Sequence, residues 1–315
     1  MVYRHRAPAI PRAFIERRTH SLMGLWLVVF LIEHLLTNSQ AALFIGDDGS
    51  GFVHAVNAIK NLPYLPAIEL FLLGIPLLMH GWWGIRYMRS AEYNIWPTEG
   101  STPSLPHNPR NHAYTWQRIT SWVLLIGIFA HVIQMRFWQY PTSAQIGSER
   151  QYMMRVTVDE GLYTLSKRMG FTLYNRQQIE ESKQRLLSSP DIAGTPDGIT
   201  SQTEREANAW IAAMEKWPLQ PDDLVAVCPS FGLAELLMVR DTFKSPTMML
   251  LYTALVGAAC FHAFNGLWTF MITWGVTTTF RSQQLVRRLV TTLMVLISLL
   301  GWSAIWGTYW WNLKL

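Results

Sequence analysis

Four histidines sit in apolar surroundings, each in a separate segment: His34 in "FLIEHLLTNS", His80 in "LLMHGWWG", His131 in "IFAHVIQ" and His262 in "CFHAFNGLW". Neutral imidazole is the commonest metal ligand among side chains. An ionisable group placed among lipid-facing residues is expensive enough to count as a functional candidate. One such histidine alone reads as a hydrogen-bonded packing residue. Four, spread over four apolar segments, match a helix-bundle core that holds a cofactor between facing helices. Glu33 lies directly beside His34 and raises the same question of cost.

The segments that must position these residues are long. Five apolar runs, about Leu22–Ala42, Leu65–Ile85, Ile119–Met135, Met248–Val276 and Leu289–Trp311, approach or exceed the ~20 helical residues that cross a hydrocarbon core. The expected fold is therefore an all-α integral membrane protein with five transmembrane helices, the first four forming the bundle. Between the third and fourth spans lies a polar insert, residues 142–245. It holds 11 of the 26 Lys and Arg and 14 of the 21 Asp and Glu, so its net charge is −3 and the rest carries +8. The stretches Gln177–Leu187 and Thr203–Lys216 have helical composition, and Pro190, Gly194, Pro196 and Gly198 separate them, so the insert is expected to be helical. The chain thus divides into residues 1–141 with spans one to three, the insert 142–245, and residues 246–315 with spans four and five. Packing against a partner or capping one membrane face is the role expected of the insert.

The basic character belongs to the membrane part, which argues against nucleic acid as a partner. Arg4, Arg6, Arg12, Arg17 and Arg18 precede the first span; Arg86, Arg89, Arg110 and Arg118 flank the second connection; Arg281, Arg287 and Arg288 flank the fourth. By the positive-inside rule the N-terminus is cytoplasmic, and the insert and C-terminus are extracytoplasmic, in a bacterial cytoplasmic membrane. A cleaved signal peptide is the competing reading of the first run, but its basic leader is long and Glu33-His34 interrupts the apolar core. Cys228 and Cys260 fall in different segments and suggest neither a disulfide framework nor a thiolate metal site.

Depth sorts the histidines into two pairs. At ~1.5 Å of rise per residue, His34 lies ~24 Å from Arg18 and His131 ~20 Å from Arg118, both deep from the inner surface. His80 is only ~9 Å from Arg86, and His262 is ~24 Å from Pro246 at the outer side, so both lie near the inner surface. Two deep and two shallow imidazoles suit two stacked six-coordinate haems, each clamped from two helices. Small residues one turn away from three of the ligands, Ala258 and Gly266 near His262, Gly84 near His80 and Gly127 near His131, leave room for a flat macrocycle. Close helix–helix packing through small residues is the competing reading. With no Cys-x-x-Cys-His, the haems would be b-type and non-covalent. His20 and Ser21, where the first helix enters, are candidates to hydrogen-bond a propionate of the shallow haem. His5, His54, His107 and His112 are expected to be solvated.

These stretches resemble a known family. "RRTHSLMG" with "FLIEHLLTN", "AIELFLLGIPLLMHGWWG", "WQRIT" and above all "FHAFNGLWTFMITWGVTTTFRSQ" are similar to the single-chain, di-haem cytochrome b membrane anchor of succinate:quinone oxidoreductases. The likeness covers the first ~140 residues and the chain from about Phe231 onward; the bulk of the insert carries none of it. The resemblance implies a complex in which a flavoprotein subunit with FAD exchanges electrons with succinate or fumarate and an iron–sulfur subunit relays them. The anchor then passes them through two haem b groups to or from a membrane quinone, menaquinone being the expected type. It also implies ligand helices paired first with third and second with fourth, so His34 with His131 and His80 with His262.

Glu33 lies about 100° around the helix from His34 and is expected to be hydrogen-bonded between helices or protonated. Glu69, 11 residues before His80 on the same ideal helical stripe and toward the outer end, is a candidate proton acceptor at a quinone site; a plain interface carboxylate is the alternative. Two other functions stay open on sequence alone. One is a di-haem quinol-oxidising anchor of formate dehydrogenase or nitrate reductase type; the other is a haem-free proton-coupled transporter.

Overall fold

The structure is a computed structural model that describes residues 10–44, 46–96, 104–188 and 202–314. His5, Pro97, Pro103 and the breakers Pro190, Gly194, Pro196 and Gly198 lie outside the described residues. Five helices are long and apolar enough to cross a membrane: α1 (Arg12–Ser39), α3 (Leu65–Arg89), α4 (Pro109–Trp138), α9 (Pro246–Thr273) and α10 (Phe280–Leu313). The five expected spans are thus present; four are longer than their apolar runs, because polar turns extend the helix at one or both ends, while the fourth ends at Thr273, three residues before its run does. A further helix, α2 (Ser50–Lys60), fills the first connection. The chain divides into two compact units, one of residues 1–34, 64–127 and 255–298, the other of residues 35–63, 128–254 and 299–315.

In the first unit, α3 shows how a sequence bends a membrane helix. Pro76 has no N–H to donate to the carbonyl of Leu72, four residues earlier. The turn around it, Leu70–Gly74, relaxes to π-helix. The freed Leu72 carbonyl is taken by the Trp26 indole of α1 at 2.6 Å. In lipid such a substitute partner is needed, because water is not there to supply one. The π turn also lies between Glu69 and His80, so the 11-residue spacing no longer carries both to one stripe. The argument that aligned them assumed an uninterrupted α-helix.

The second unit contains the main departure from expectation. The insert is not purely helical: it holds a four-stranded antiparallel sheet in the order β1-β2-β4-β3. The strands are β1 (Thr142–Ile146), β2 (Glu149–Thr157), β3 (Thr172–Tyr174) and β4 (Asp223–Cys228). Helices α5 (Leu162–Met169), α6 (Arg176–Leu187) and α7 (Gln202–Met214) accompany them, with α8 (Phe231–Thr242) after β4. The two helices expected from composition, α6 and α7, are present. β4 lies between β2 and β3, and every residue in it is buried or borders burial on both faces, as a central strand requires. Val225 and Val227 point into a core with Met153, Ile179, Trp210, Met214 and Trp217. Asn175 opens α6 with a capping box, its side chain accepting from Gln178 N while Gln178 returns the bond.

Helix α8 is buried almost all round and packs on α2. Gly232 permits the approach: its N–H donates to Asn57 Oδ1 at 2.7 Å, and a Cβ there would come 2.5 Å from the Val53 carbonyl oxygen. Arg240, 1 % exposed, forms a bidentate pair with Asp159 at 2.7 Å on both arms and donates its Nε–H to the Leu313 carbonyl. That network joins α8, the turn before α5 and the end of α10 within one unit.

Candidate haem site

His80 and His262 come together in the first unit. Their ring centroids are 6.1 Å apart and their planes nearly perpendicular, at 85°. Two imidazoles that each reach a shared iron through Nε2, at a bond of about 2 Å, have centroids roughly 6 Å apart. The separation therefore fits a bis-imidazole site across α3 and α9.

The hydrogen bonds fix which ring nitrogen is offered. His80 Nδ1 lies 3.1 Å from the His20 carbonyl, which only accepts, so Nδ1 carries the proton. His262 Nδ1 lies 3.4 Å from Ser121 Oγ, and that hydroxyl donates its own proton to the Gln117 carbonyl at 2.7 Å. Both Nδ1 atoms are thus donors, and the lone pair rests on Nε2, the tautomer a metal-ligating imidazole needs. Gln117 also donates to the His262 carbonyl at 3.1 Å and accepts from Asn265 at 2.7 Å, which ties α4 to the ligand turn of α9.

Two polar groups beside the pair have no partner of their own. Nδ1 of His20 and Nε of Arg118 are buried without a hydrogen bond among the described residues. His20 stacks on His80 at 4.0 Å between centroids and meets Tyr87 edge-on at 5.3 Å. Gly24 makes space for the His80 ring, since a Cβ there would lie 2.9 Å from its Cε1. Arg118 is a fixed cation, stacked on Tyr114 at 4.3 Å. Ser21 Oγ accepts from the Trp274 indole at 3.3 Å and keeps its own proton to give. This donor-rich set suits the carboxylates of a haem b, and the residues present therefore fit that group. Among the described residues no group of three or more His, Cys, Asp or Glu could hold a metal ion.

His34 and His131 fall in different units, and each is described in its own. His34 stacks on Phe30 of the same helix, 5.4 Å between centroids. His131 Nδ1 lies 3.2 Å from the Tyr252 hydroxyl, and Tyr252 donates to Gln134 Oε1 at 3.1 Å. The tyrosine proton is thereby committed, so His131 too reads as the Nδ1–H tautomer. Its helix passes into a π turn at Ile133–Trp138, just after the histidine; such turns are frequent at functional sites. Glu33 is exposed on α1, and Glu69 is partly exposed immediately before the π turn of α3. His54, His107 and His112 are exposed, and Cys228 and Cys260 are buried free thiols. Arg118, Gln117, Ser121 and Tyr252 were not singled out from the sequence as site residues. "WQRIT" does contain Arg118, four residues before Trp122, but its value there was as a marker of the membrane edge.

No family model matches the chain, and no solved structure matches it. One curated relative does. The succinate dehydrogenase cytochrome b558 subunit of Bacillus subtilis strain 168 is 25% identical over 297 residues, spanning 94% of this chain and 97% of the relative. The likeness to a succinate dehydrogenase cytochrome b membrane anchor, first carried by the histidine motifs, is thus upheld by a relative matched almost end to end.

Proposed function

We propose that this chain is the membrane anchor and electron-transfer subunit of a succinate:quinone oxidoreductase. It carries electrons between an iron–sulfur subunit and membrane quinone, with menaquinone the expected type, through two b-type haems. A flavoprotein subunit with FAD holds the dicarboxylate site. The observation that carries this reading is the His80–His262 pair: a 6.1 Å centroid separation with both Nδ1 atoms already donating elsewhere.

A bound haem b would supply one-electron chemistry. His80 and His262 would hold the inner group. His20, Ser21 and Arg118 would receive its propionates, and the Arg118 charge would offset theirs. His34 and His131 would hold the outer group, with Tyr252 orienting His131. Protons of the quinol must leave where the quinone meets the outer end of the bundle, and Glu69 is the candidate acceptor.

The Arg distribution supports a cytoplasmic N-terminus, with the basic edge facing the iron–sulfur subunit. The insert, residues 142–245, and the C-terminus are then extracytoplasmic. Protease added to spheroplasts should cut the insert and spare the inner loops; protection there, with cleavage in inverted vesicles, overturns the topology. The function itself is tested on the purified chain. A reduced-minus-oxidised spectrum with two b-type components, and two haems per chain by pyridine haemochromogen, is expected. A chain without a Soret band would instead favour the proton-coupled transporter.

A further inference from the structure

Within the first unit, α4, α9 and α10 enclose a groove that none of the four histidines lines. Its polarity changes along the helix axes. On α10, which starts at the arginine-rich edge, Arg287 comes first and Met294 lies two turns deeper, ~10 Å along the axis. On α9, which ends at that edge, Trp268 forms the shallow wall and Phe261 the deep one, again ~10 Å apart. On α4, Arg110 stands at the helix start and Ala113 one turn in. Each helix thus sets a charged or interfacial side chain at the mouth and an apolar one farther in.

The two cations at the mouth are short of anions. Arg110 is exposed, donates Nη2 to Gln283 Oε1 at 3.1 Å, and has its guanidinium 5.9 Å from the Trp268 ring centroid. Neither contact neutralises it. Arg287 is exposed and has no hydrogen bond, ion pair or ring contact with any described residue. Residues 109–127, 255–273 and 280–298, the parts of these helices in the first unit, carry five Arg and no Asp or Glu. No carboxylate on them can therefore balance the pair.

Cations at the mouth select an anion, and apolar walls behind them select an anion that carries a hydrocarbon chain. A quinone ring suits the walls but is neutral and leaves both charges unmet. A soluble partner reaches the arginines from water and leaves the deep walls bare. A zwitterionic phospholipid brings its own ammonium group, for which the groove offers no carboxylate. Guanidinium groups favour phosphate through paired N–H donors, and basic pockets between transmembrane helices on the cytoplasmic side take anionic headgroups. We propose that this groove binds an anionic glycerophospholipid, with its phosphate at Arg110 and Arg287 and an acyl chain along Ala113, Phe261 and Met294. The assignment rests on no reading of the histidines.

The test titrates the delipidated full chain, in neutral detergent, with phosphatidylglycerol or phosphatidylcholine and reads the thermal midpoint, which a ligand of the folded state raises. Phosphatidylglycerol should raise the midpoint saturably, and phosphatidylcholine at the same mole fraction should not. Arg287→Gln should weaken the apparent phosphatidylglycerol affinity about fivefold, the scale of one cation near an anionic headgroup. Arg288→Gln removes the same charge one residue away, outside the groove, and should leave the affinity unchanged. Ala113→Leu keeps every charge but fills an apolar wall, and should weaken the affinity as well. Each variant is compared with its own lipid-free midpoint, and the exposed Arg287 position decides if Ala113→Leu does not fold. Equal losses in Arg287→Gln and Arg288→Gln would show a diffuse basic edge and overturn the proposal. So would an undiminished response in Ala113→Leu, which means a headgroup without an inserted chain. A midpoint raised equally by phosphatidylcholine, or by menaquinone in place of phosphatidylglycerol, would assign the groove to a neutral occupant and overturn it too.

Discussion

The two compact units treat buried polar atoms in opposite ways. In the second, they are met within the chain: Arg240 has three partnered contacts, and Asn312 donates to the Ala41 carbonyl while accepting from Gly46. In the first, Nδ1 of His20, Nε of Arg118, Nε1 of Trp268, Oδ1 of Asn94 and the hydroxyls of Thr115 and Thr277 are buried with no partner among the described residues. A buried unpaired polar atom costs about 1–3 kcal/mol, so a chain keeps such atoms together only where something else meets them. Two of the six lie beside His80 and His262. The second unit meets its buried polar atoms within the chain; the first leaves six without a partner among the described residues.

The largest effect expected on that contrast is in the second unit. Arg240→Ala leaves Asp159 with Lys244 and the Gly161 N–H and strips the Leu313 carbonyl of its donor. Breaking one partner of a buried pair costs about 3–5 kcal/mol, so the thermal midpoint of the solubilised protein should fall well below wild type. An unchanged midpoint would mean that the network is ornamental and the contrast false. The pH dependence has a definite sign. Burial pushes the Asp159 carboxyl up, but hydrogen bonds from Arg240 and Lys244, with their charges, overcome it and hold the group at about 2. A depressed carboxylate stabilises above its unfolded value and loses that contribution as pH falls toward 2. Arg240→Ala should therefore lose its penalty at the acid end of that window.

Next in size is Glu235, on α8. Burial raises its carboxyl to about 7, and Arg136 and Lys60 pull only partly against it. A raised acid costs stability progressively from its unfolded value near 4.5 up to about 7, because the folded state holds the proton longer. Glu235→Gln should thus stabilise by about 1–3 kcal/mol at pH 8 and change little at pH 4. Equal effects at both pH values would remove the titration argument.

Much of the first unit was legible in the sequence, and the reason is the lipid. Spans of about 20 apolar residues stand out against any background, and an imidazole among them is conspicuous, so His80 and His262 could be paired by depth alone. The soluble part was not. Strand β2, with Glu149, Arg150, Gln151 and Arg155 in its nine residues, lacks the β-branched run that marks a strand, and β3 has three residues. Helical composition marked α6 and α7 but not α5 or α8, and it missed the sheet they pack on. The supporting residues were hidden for another reason. Ser121 and Tyr252 act through hydrogen bonds across helices, which no linear spacing records. The stripe linking Glu69 to His80 failed because Pro76 forces a π turn between them.

A smaller effect sharpens the claim for the first unit. Arg118→Gln keeps length but removes the cation beside His262. Outer-shell changes cost roughly 10–100-fold in cofactor affinity, so haem loss on dilution should speed by about tenfold at the inner site only. Retention equal to wild type would mean that the orphaned Nε has no propionate to meet. The least effect is expected at Glu69. Glu69→Gln should slow quinol turnover severalfold while both haems and artificial-dye activity persist, and unchanged quinone kinetics would dismiss Glu69.

The most direct measurement is a set of four single variants, His34→Ala, His80→Ala, His131→Ala and His262→Ala, read by redox-resolved difference spectra of the purified chain. His80→Ala and His262→Ala should remove one and the same component, and His34→Ala and His131→Ala the other. Removal of a single component by His80→Ala together with His34→Ala, with His262 governing a different one, would contradict the pairing and with it the two-haem anchor.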